Sequence, residues 1–576
     1  MHTALSPAAV VAAPGAVLRD IRDVAAAIGF DEHDLDLRGR HRAKIRREVI
    51  DAAAAAGLPA DGGPPARGKY VLVSAITPTP LGEGKTVTAI GLSMGLWRRG
   101  GTAAVAIRES ALGPTLGVKG GGAGGGAAQI VPLEECLLGV PGDSHGVANA
   151  NNLLAACIDD ALMRHTVPID PFTIQWRRVV DVSDRALRHV VTGLGGRAQG
   201  VPRETGFDIT AASEVMALLA LSRDGRDLRA RLGKIVVGFD GDRPVLAGEL
   251  RCAGAMAALL REALQPNLMQ TREGTPAFIH TGPFGNISHG NSSIIADLVA
   301  LPRVDYLVTE AGFGADMGAE KFFHIKSAAS GLVPDAAVLV ATVPGIKSHS
   351  GRYHLAEGRP VPADLWRENV PDVEAGAANL RKQIQNLRAF GVPVVVAVNR
   401  RDTDSPAELR AVRTAAAEAG AVAVAEHRAF TDGGAGCVEL AEAVEGACRL
   451  GAPVRPLYAP ADSPEAKITT LATRLYGAAD VSFTPEARRD LERYVKAGYG
   501  GLPVCVAKTH LSLSHDPTLK GAPGGYTFPI RGVRLAAGAG YLYALAGDIM
   551  TMPGLPSHPH AAEIDVDPEG QVTGLV

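Results

Sequence analysis

The sequence predicts an α/β chain built on a parallel or mixed sheet, and three observations predict it. Short, continuous apolar runs recur along the chain: YVLVSAI from Tyr70, AAVAIRE from Ala103, KIVVGF from Lys234, VDYLVTE from Val304, AAVLVATV from Ala336 and VPVVVAVN from Val392. Runs of that length without alternation are the pattern of strands covered on both faces. Stretches of helical spacing separate most of them, and the order strand, loop, helix, strand is that of a βαβ unit. At 576 residues the chain has room for several domains.

Taken in order, residues 1–17 read as an N-terminal extension, apolar and alanine-rich but without a basic leader and too short to span a bilayer. Leu18 to Ala56 has helix-like periodicity, with Ile21, Val24, Ile28, Ile45 and Val49 as apolar anchors, and DGGPPARG (Asp61 to Gly68) reads as a linker. VTAIGLSMGLWRRG has helical spacing and ends at paired glycines. The division expected is residues 18–370 as a large nucleotide-binding domain with insertions, 371–451 as an α/β domain contributing an acceptor pocket, and 452–576 as a C-terminal domain richer in loops.

Composition excludes several classes. A net charge of −3 gives no field that would gather nucleic acid or an anionic membrane, and no segment is long and apolar enough to span one. The six cysteines are scattered without a CxxC pair, which fits a reducing cytoplasm better than a zinc cluster or a disulfide framework.

The chemistry concentrates after the first strand. TPTPLGEGKT (Thr77 to Thr86) ends like a phosphate-binding loop, although threonine stands at position 79 where the usual pattern has its first glycine. In such loops backbone N–H groups and a helix N-terminus face anionic oxygens, a lysine neutralises the terminal phosphates, and a hydroxyl joins the Mg²⁺ shell. Thr79, Gly82, Glu83, Gly84, Lys85, Thr86 and Val87 form the predicted nucleotide-binding segment, with Thr86 as the metal-side hydroxyl, so the core is expected to be P-loop-hydrolase-like. A second stretch, LGVKGGGAGGGAAQ (Leu116 to Gln129), follows a strand that ends in Arg108 and Glu109. A flexible linker is its ordinary reading, but glycines in that position let backbone approach a ligand closely. Glu310 and Asp316 close a strand at the sheet edge where Mg²⁺ or substrate is expected. HTGPFGNISHGNSS packs His280, Asn286, His289 and Asn291 into one loop. NRRD (Asn399 to Asp402) is similar to the box that selects guanine in GTPases, a short and degenerate signal.

Together these segments resemble formate–tetrahydrofolate ligase. The resemblance spans about Leu18 to Val576 and rests on ITPTPLGEGKT, LGPTLGVKGGGAGGG, GDSHGVANANNLLAA, GFDITAASEVMALLALS, TPAFIHTGPFGNISHGNSS, TEAGFGADMGAEKFF and GAGYLYALAGDIMTMPGLP. It implies that MgATP phosphorylates formate and that formyl phosphate is attacked by an amine nitrogen of tetrahydrofolate. It further implies catalytic roles for Lys85, Arg108, Glu109 and Lys119, and an acyl pocket including Gly120, Gly121, Ala127, Gly139, His145, His280 and Glu310. The implied pterin pocket holds Asn399, Arg401 and Phe430. A homotetramer and activation by a monovalent cation such as K⁺ are also implied.

The chain departs from the family pattern at Ser110, Ala127, Gly139, Pro344, Arg401, Phe430 and Asp432, whereas Lys347 and His349 are kept. A tyrosine at 127 and a histidine at 139 are the usual residues, as are an aromatic at 401 and a tryptophan at 430. These changes leave open a paralogue that activates another small acid or uses a different amine acceptor. A GTPase-like regulatory protein and a non-catalytic scaffold are the remaining alternatives.

Overall fold

The computed structural model describes residues 18–56, 68–117, 122–356, 360–451 and 453–575. A twelve-stranded sheet organises the molecule. In chain order its strands are β1 (Leu35–Leu37), β2 (Ala43–Ile45), β3 (Lys69–Ala75), β4 (Ala103–Ile107), β5 (Gly124–Gly125), β6 (Ala128–Val131), β7 (Asn267–Thr271), β8 (Pro276–Ile279), β9 (Tyr306–Glu310), β10 (Ala336–Ala341), β11 (Val394–Asn399) and β12 (Ala423–His427). The spatial order is β1-β2-β7-β8-β4-β9-β3-β10-β11-β12, with β6 added beside β7 and β5 beside β6. From β8 to β12 every neighbouring pair is parallel, while β1, β2, β5, β6 and β7 pair antiparallel at one side.

The parallel strands read as unbroken apolar runs because both faces are covered. All six residues of β10 are wholly buried. The helix Lys85–Arg98 carries the chain from β3 to β4 and packs on β4 and β9. Val370–Ala389 and Pro406–Glu418 make the next two crossovers, and Val438–Leu450 closes the layer beyond β12. β3 and β10 are neighbours, but the connection from β3 runs to β4 on one side while that from β10 runs to β11 on the other. In open α/β sheets a ligand crevice lies outside the carboxyl ends of strands at such a reversal. The C-terminal segment has its own three-stranded sheet of Val504–Ala507, Gly532–Ala536 and Tyr541–Leu545. Its Leu471, Leu491 and Leu542 join the same continuous apolar core as β3 and β10.

Two readings of the sequence need correction here. Leu18 to Ala56 is α-helical only over Ile21–Ala26 and Arg47–Ala56; between them a 3-10 turn, Glu32–Asp34, precedes β1, and β1 and β2 pair with Ile45 opposite Leu35. Isoleucine spacing alone does not separate a helix anchor from a strand residue whose backbone is taken by a distant partner, here the carbonyl of Pro266. KIVVGF does form a strand, Val236–Asp240, but it pairs only with Arg243–Leu246 in a separate hairpin. Residues 1–17 and 61–67 lie outside the described residues.

Candidate active site

The carboxyl ends of the parallel strands gather the chemistry. β3 runs into the loop Ile76 to Gly84, β4 into Arg108 and Glu109, and β10 into Thr342, while β9 ends in Glu310, β11 in Asn399 and β12 in His427.

Gly84 stands immediately before the helix Lys85–Arg98 at φ 78° and ψ 31°, a left-handed conformation that costs an L-residue about 1–2 kcal/mol. That bend starts the helix with its free N–H groups at the loop. Neighbouring elements grip the loop. Thr77 donates its N–H to Asn379 Oδ1 (3.1 Å), and its hydroxyl accepts from Asn379 Nδ2 (2.8 Å) and Gln383 Nε2 (3.1 Å). His349 Nε2 lies 2.8 Å from the Thr77 carbonyl. Asn399 Nδ2 donates to the Glu83 carbonyl (3.1 Å), and the Thr88 hydroxyl donates to that of Gly84 (2.9 Å). The Thr88 hydroxyl in turn sits 3.1 Å from His427 Nε2. The Gly82 N–H donates to the Thr79 carbonyl (3.0 Å), and the N–H groups of residues 83–86 have no partner among the described residues, so these are the ones left for an anion.

Glu83, buried in this loop, accepts from the Thr79 N–H (3.2 Å) and hydroxyl (2.9 Å) and from the Thr342 hydroxyl (2.6 Å). Burial pushes its carboxyl above the ordinary range, against those hydrogen bonds and Lys85. Lys85 is half-buried and has no hydrogen bond or ion pair among the described residues. Burial lowers its affinity for a proton, the carboxylates of Glu310 and Glu83 raise it, and Arg108 lowers it again. Thr86 donates its hydroxyl to Glu310 Oε2 at 2.8 Å.

Arg108 reaches the same place from β4. Its Nη1 donates to the Pro283 carbonyl (3.2 Å), and Nε has no partner among the described residues. Burial lowers the guanidinium's pKa, opposed by Glu310. Glu109 turns the other way: Oε1 accepts from Ser144 (2.9 Å), Oε2 is unpartnered, and Asp143 lies near. Burial first, then Asp143, pushes the Glu109 carboxyl well above its usual range, which favours its neutral form. Lys44 clamps Asp143 through both carboxylate oxygens at 2.8 Å. Close by, His289 Nε2 and Asn291 Oδ1 are buried without partners, and His289 is pushed well down by burial and by Lys326, Arg108 and Lys321. Of these, His289 Nε2 can donate beside the Arg108 guanidinium to a small anionic substrate, whereas Asn291 Oδ1 is an acceptor.

A cleft of about 620 Å³ opens from this loop, lined by Leu81, Gly82, Gly84, Val87, Trp366, Asn399, Arg401 and Phe430, with Arg400, Asp402, Thr403, Arg428 and Thr431 at its remaining edges. Phe430 is 58% exposed and closes one wall. Arg401 is also in the lining, its Cζ 5.3 Å from the centroid of the Trp366 ring.

The structure thus brings Thr79, Gly82, Glu83, Gly84, Lys85, Thr86, Val87, Arg108 and Glu310 to one sheet edge, with Glu109 beside them, and Asn399, Arg401 and Phe430 to the adjoining cleft. Lys119, Gly120 and Gly121 lie outside the described residues. Four acyl-pocket expectations are corrected. Ala127 is tied to the segment that carries Phe430: its N–H donates to the Phe430 carbonyl (2.7 Å) and it packs beside Gly433. Gly139 is exposed, with Arg42 and Glu135 as nearest side chains, and His145 is exposed beside Asn149, 3.0 Å away. His280 is wholly buried with both ring nitrogens taken, Nδ1 by Ser293 (2.6 Å) and Nε2 by the Ala263 carbonyl (2.8 Å), and burial lowers its pKa to about 4. Asp316 is likewise no metal ligand; it pairs with buried Lys508 at 2.8 Å. Among the described residues no group of three or more His, Cys, Asp or Glu could hold a metal by itself.

Trp366, Thr342 and Lys44 escaped the sequence reading. A large aromatic within the polar segment PADLWREN was the available signal for Trp366. Thr342 and Lys44 have none, since their roles come from strand register.

Comparison with known proteins agrees with this geometry. The family model described as Formate--tetrahydrofolate ligase matches residues 8–576. A formate--tetrahydrofolate ligase of Roseiflexus sp. (strain RS-1) is 54% identical over 565 residues, covering 98% of this chain and 99% of the relative. That of Saccharopolyspora erythraea is 55% identical over 561 residues, covering 97% of each, and that of Chloroflexus aurantiacus 54% over 568, covering 97% and 98%. The chain, with Lys85, Arg108 and Glu310 at one sheet edge and the adjoining cleft, therefore belongs to the formate–tetrahydrofolate ligase family.

Proposed function

We propose that this chain uses MgATP to convert formate to formyl phosphate and passes the formyl group to tetrahydrofolate. Family membership supports the reaction, and one observation supports its location. Lys85 and Arg108, neither paired with a carboxylate, converge on Glu310 beside a loop of free N–H groups.

In this reading the N–H groups of residues 83–86 and Lys85 hold the terminal phosphates in a P-loop-type cradle. Thr86 and Glu310 fit the Mg²⁺ of the nucleotide, because magnesium takes one or two protein oxygens together with substrate phosphates. When bound, that ion neutralises phosphate charge. Arg108 orients formate so that one carboxylate oxygen faces the γ-phosphorus, a positioning effect that lowers the barrier by pre-setting geometry. The phosphoryl group then makes that oxygen a leaving group, and Arg108 and Lys85 stabilise the charge that grows on it when the acceptor nitrogen attacks. Glu109 turns away toward Ser144, and the upward shift of its carboxyl favours the neutral form, which reduces its repulsion of a nearby anion. The acceptor ring lies in the cleft between Arg401 and Phe430, beside Asn399, with its nitrogen directed toward the loop.

The guanine-selecting alternative has less to stand on: Asp402, which would face the base, pairs with Arg428 at 2.7 Å. The monovalent cation, the homotetramer, the three-domain division and a cytoplasmic location are carried as parts of the same proposal. The six free cysteines agree with the last, and no helix among the described residues is long and apolar enough to cross a membrane.

The test is formation of 10-formyltetrahydrofolate from ATP, formate and tetrahydrofolate by the purified chain, with ADP release that requires formate. ATP turnover with another acid and no folate product would replace this reading with that of a paralogue.

A further inference from the structure

Trp366 has no place in the chemistry above, yet it is built into the cleft as firmly as any residue there. It ends the single turn Ala363–Trp366. Leu365 before it is wholly buried. After it, the Arg367 carbonyl accepts from buried Lys347 (2.8 Å), and the Asn369 N–H donates to Glu408 (3.0 Å), itself the ion-pair partner of Lys347 at 2.8 Å. The indole thus sits on a fixed platform. Arg401 is fixed by its backbone, whose N–H donates to Asp404 Oδ2 (2.8 Å) while its carbonyl accepts from the Asp404 N–H (3.1 Å). Its guanidinium, by contrast, makes no ion pair among the described residues and has the Trp366 ring beside it, Cζ 5.3 Å from the centroid. The two neighbouring arginines differ, since Arg400 is paired with Glu426 (3.2 Å) and Arg428 with Asp402 (2.7 Å). Across the cleft Phe430 is braced by Gly125 and Gly126, whose small size admits its ring.

We propose that Trp366 is a positioning residue that determines acceptor specificity. It holds the Arg401 guanidinium as a flat cationic wall opposite Phe430, so that the cleft selects a planar, electron-rich heteroaromatic ring. A guanidinium has two faces: stacking one on an indole pre-organises the side chain and leaves the other for a ligand ring. A lysine in its place has charge but no plane. The inference rests on the functional reading above, with tetrahydrofolate as the acceptor.

The test compares Michaelis constants in the full-length chain. Trp366→Leu raises the KM for tetrahydrofolate about three- to tenfold, while the KM values for ATP and formate stay within twofold. Arg401→Lys has the same effect and Arg401→Phe restores much of the loss, because only the second keeps a flat wall. In an Arg401→Ala background Trp366→Leu adds nothing further, since Trp366 acts through Arg401. An unchanged acceptor KM in Trp366→Leu, an additive double variant, or an equal rise in the KM for ATP overturns the proposal in an enzyme that is otherwise active. Absence of folate-dependent turnover in the unsubstituted chain overturns the functional reading instead. In that event fluorescence decides about the wall: tetrahydrofolate quenches emission that Trp366→Phe removes, and failure to do so refutes the proposal.

Discussion

Replacing Gly84 with alanine tests the architecture of the phosphate loop most directly. Two costs are visible in the structure. The residue sits at φ 78°, where a side chain costs about 1 kcal/mol even for a tolerant residue. Its new Cβ would lie 2.5 Å from Asn399 Nδ2, too close to keep the 3.1 Å hydrogen bond from that nitrogen to the Glu83 carbonyl. Losing that bond costs about another 1 kcal/mol. If the loop escapes by leaving its binding conformation, about 2 kcal/mol lowers the competent fraction some thirtyfold, and the KM for ATP rises by up to that factor. If packing holds the loop in place, the cost appears as a lower melting temperature instead. Steady-state kinetics in ATP and thermal unfolding, measured on the same variant, capture both outcomes. Asn399→Ala in the Gly84→Ala background removes the collision but not the backbone cost, so the double variant is less impaired than independent effects would make it. A Gly84→Ala protein with an ATP KM within twofold of the parent and an unchanged melting temperature would refute the reasoning.

Four further outcomes follow from single contacts. Thr86→Val keeps the shape but removes the hydroxyl bonded to Glu310 at 2.8 Å; kcat should fall about 100-fold with little change in melting temperature, and retained turnover would contradict the assigned role. Lys44→Met strands the buried Asp143 carboxylate and should cost about 3–5 kcal/mol, read by denaturant unfolding, whereas Lys44→Met with Asp143→Leu recovers much of it. Burial raises the Glu214 carboxyl to about 7, opposed by the N–H groups of Gly538 and Ala539. A carboxyl whose pKa is raised by folding stabilises the protein below the unfolded value and loses that contribution as pH climbs through 7. Glu214→Gln, which keeps an acceptor for those N–H groups, should therefore be more stable than the parent at pH 8 by roughly 1–2 kcal/mol, and the difference should close toward pH 4.5; a constant difference across that range would exclude the titration. Arg108→Lys keeps charge but not the fork that reaches Pro283, and should raise the formate KM at least about tenfold with the ATP KM little moved.

The sequence by itself determined the α/β class, the parallel strands and the tight turn that enters the helix after β3, because each is written in local signals. A strand covered on both faces must be apolar throughout, as in AAVLVATV, and a helix entered through a tight turn needs a residue that tolerates the left-handed region, as at Gly84. It did not reveal β7, β8 or β12. QTREGTPAFI is broken by polar residues and Pro276, and the alanines of β12 merge with those of the helix before it. Only the tertiary structure decided which side chains share a site. The family resemblance put Ala127 in the acyl pocket, yet its backbone is tied to that of Phe430. His280 carried the residue type of a catalytic group, but both ring nitrogens are consumed by Ser293 and Ala263. Arg401 read as the loss of an aromatic wall until the fold set Trp366 against it from 35 positions away. Local geometry follows from neighbouring residues through backbone sterics and hydrophobic period. Which charges meet, and which hydrogen bonds are already spent, depends on strand order and register, and those are fixed by contacts between segments distant in sequence.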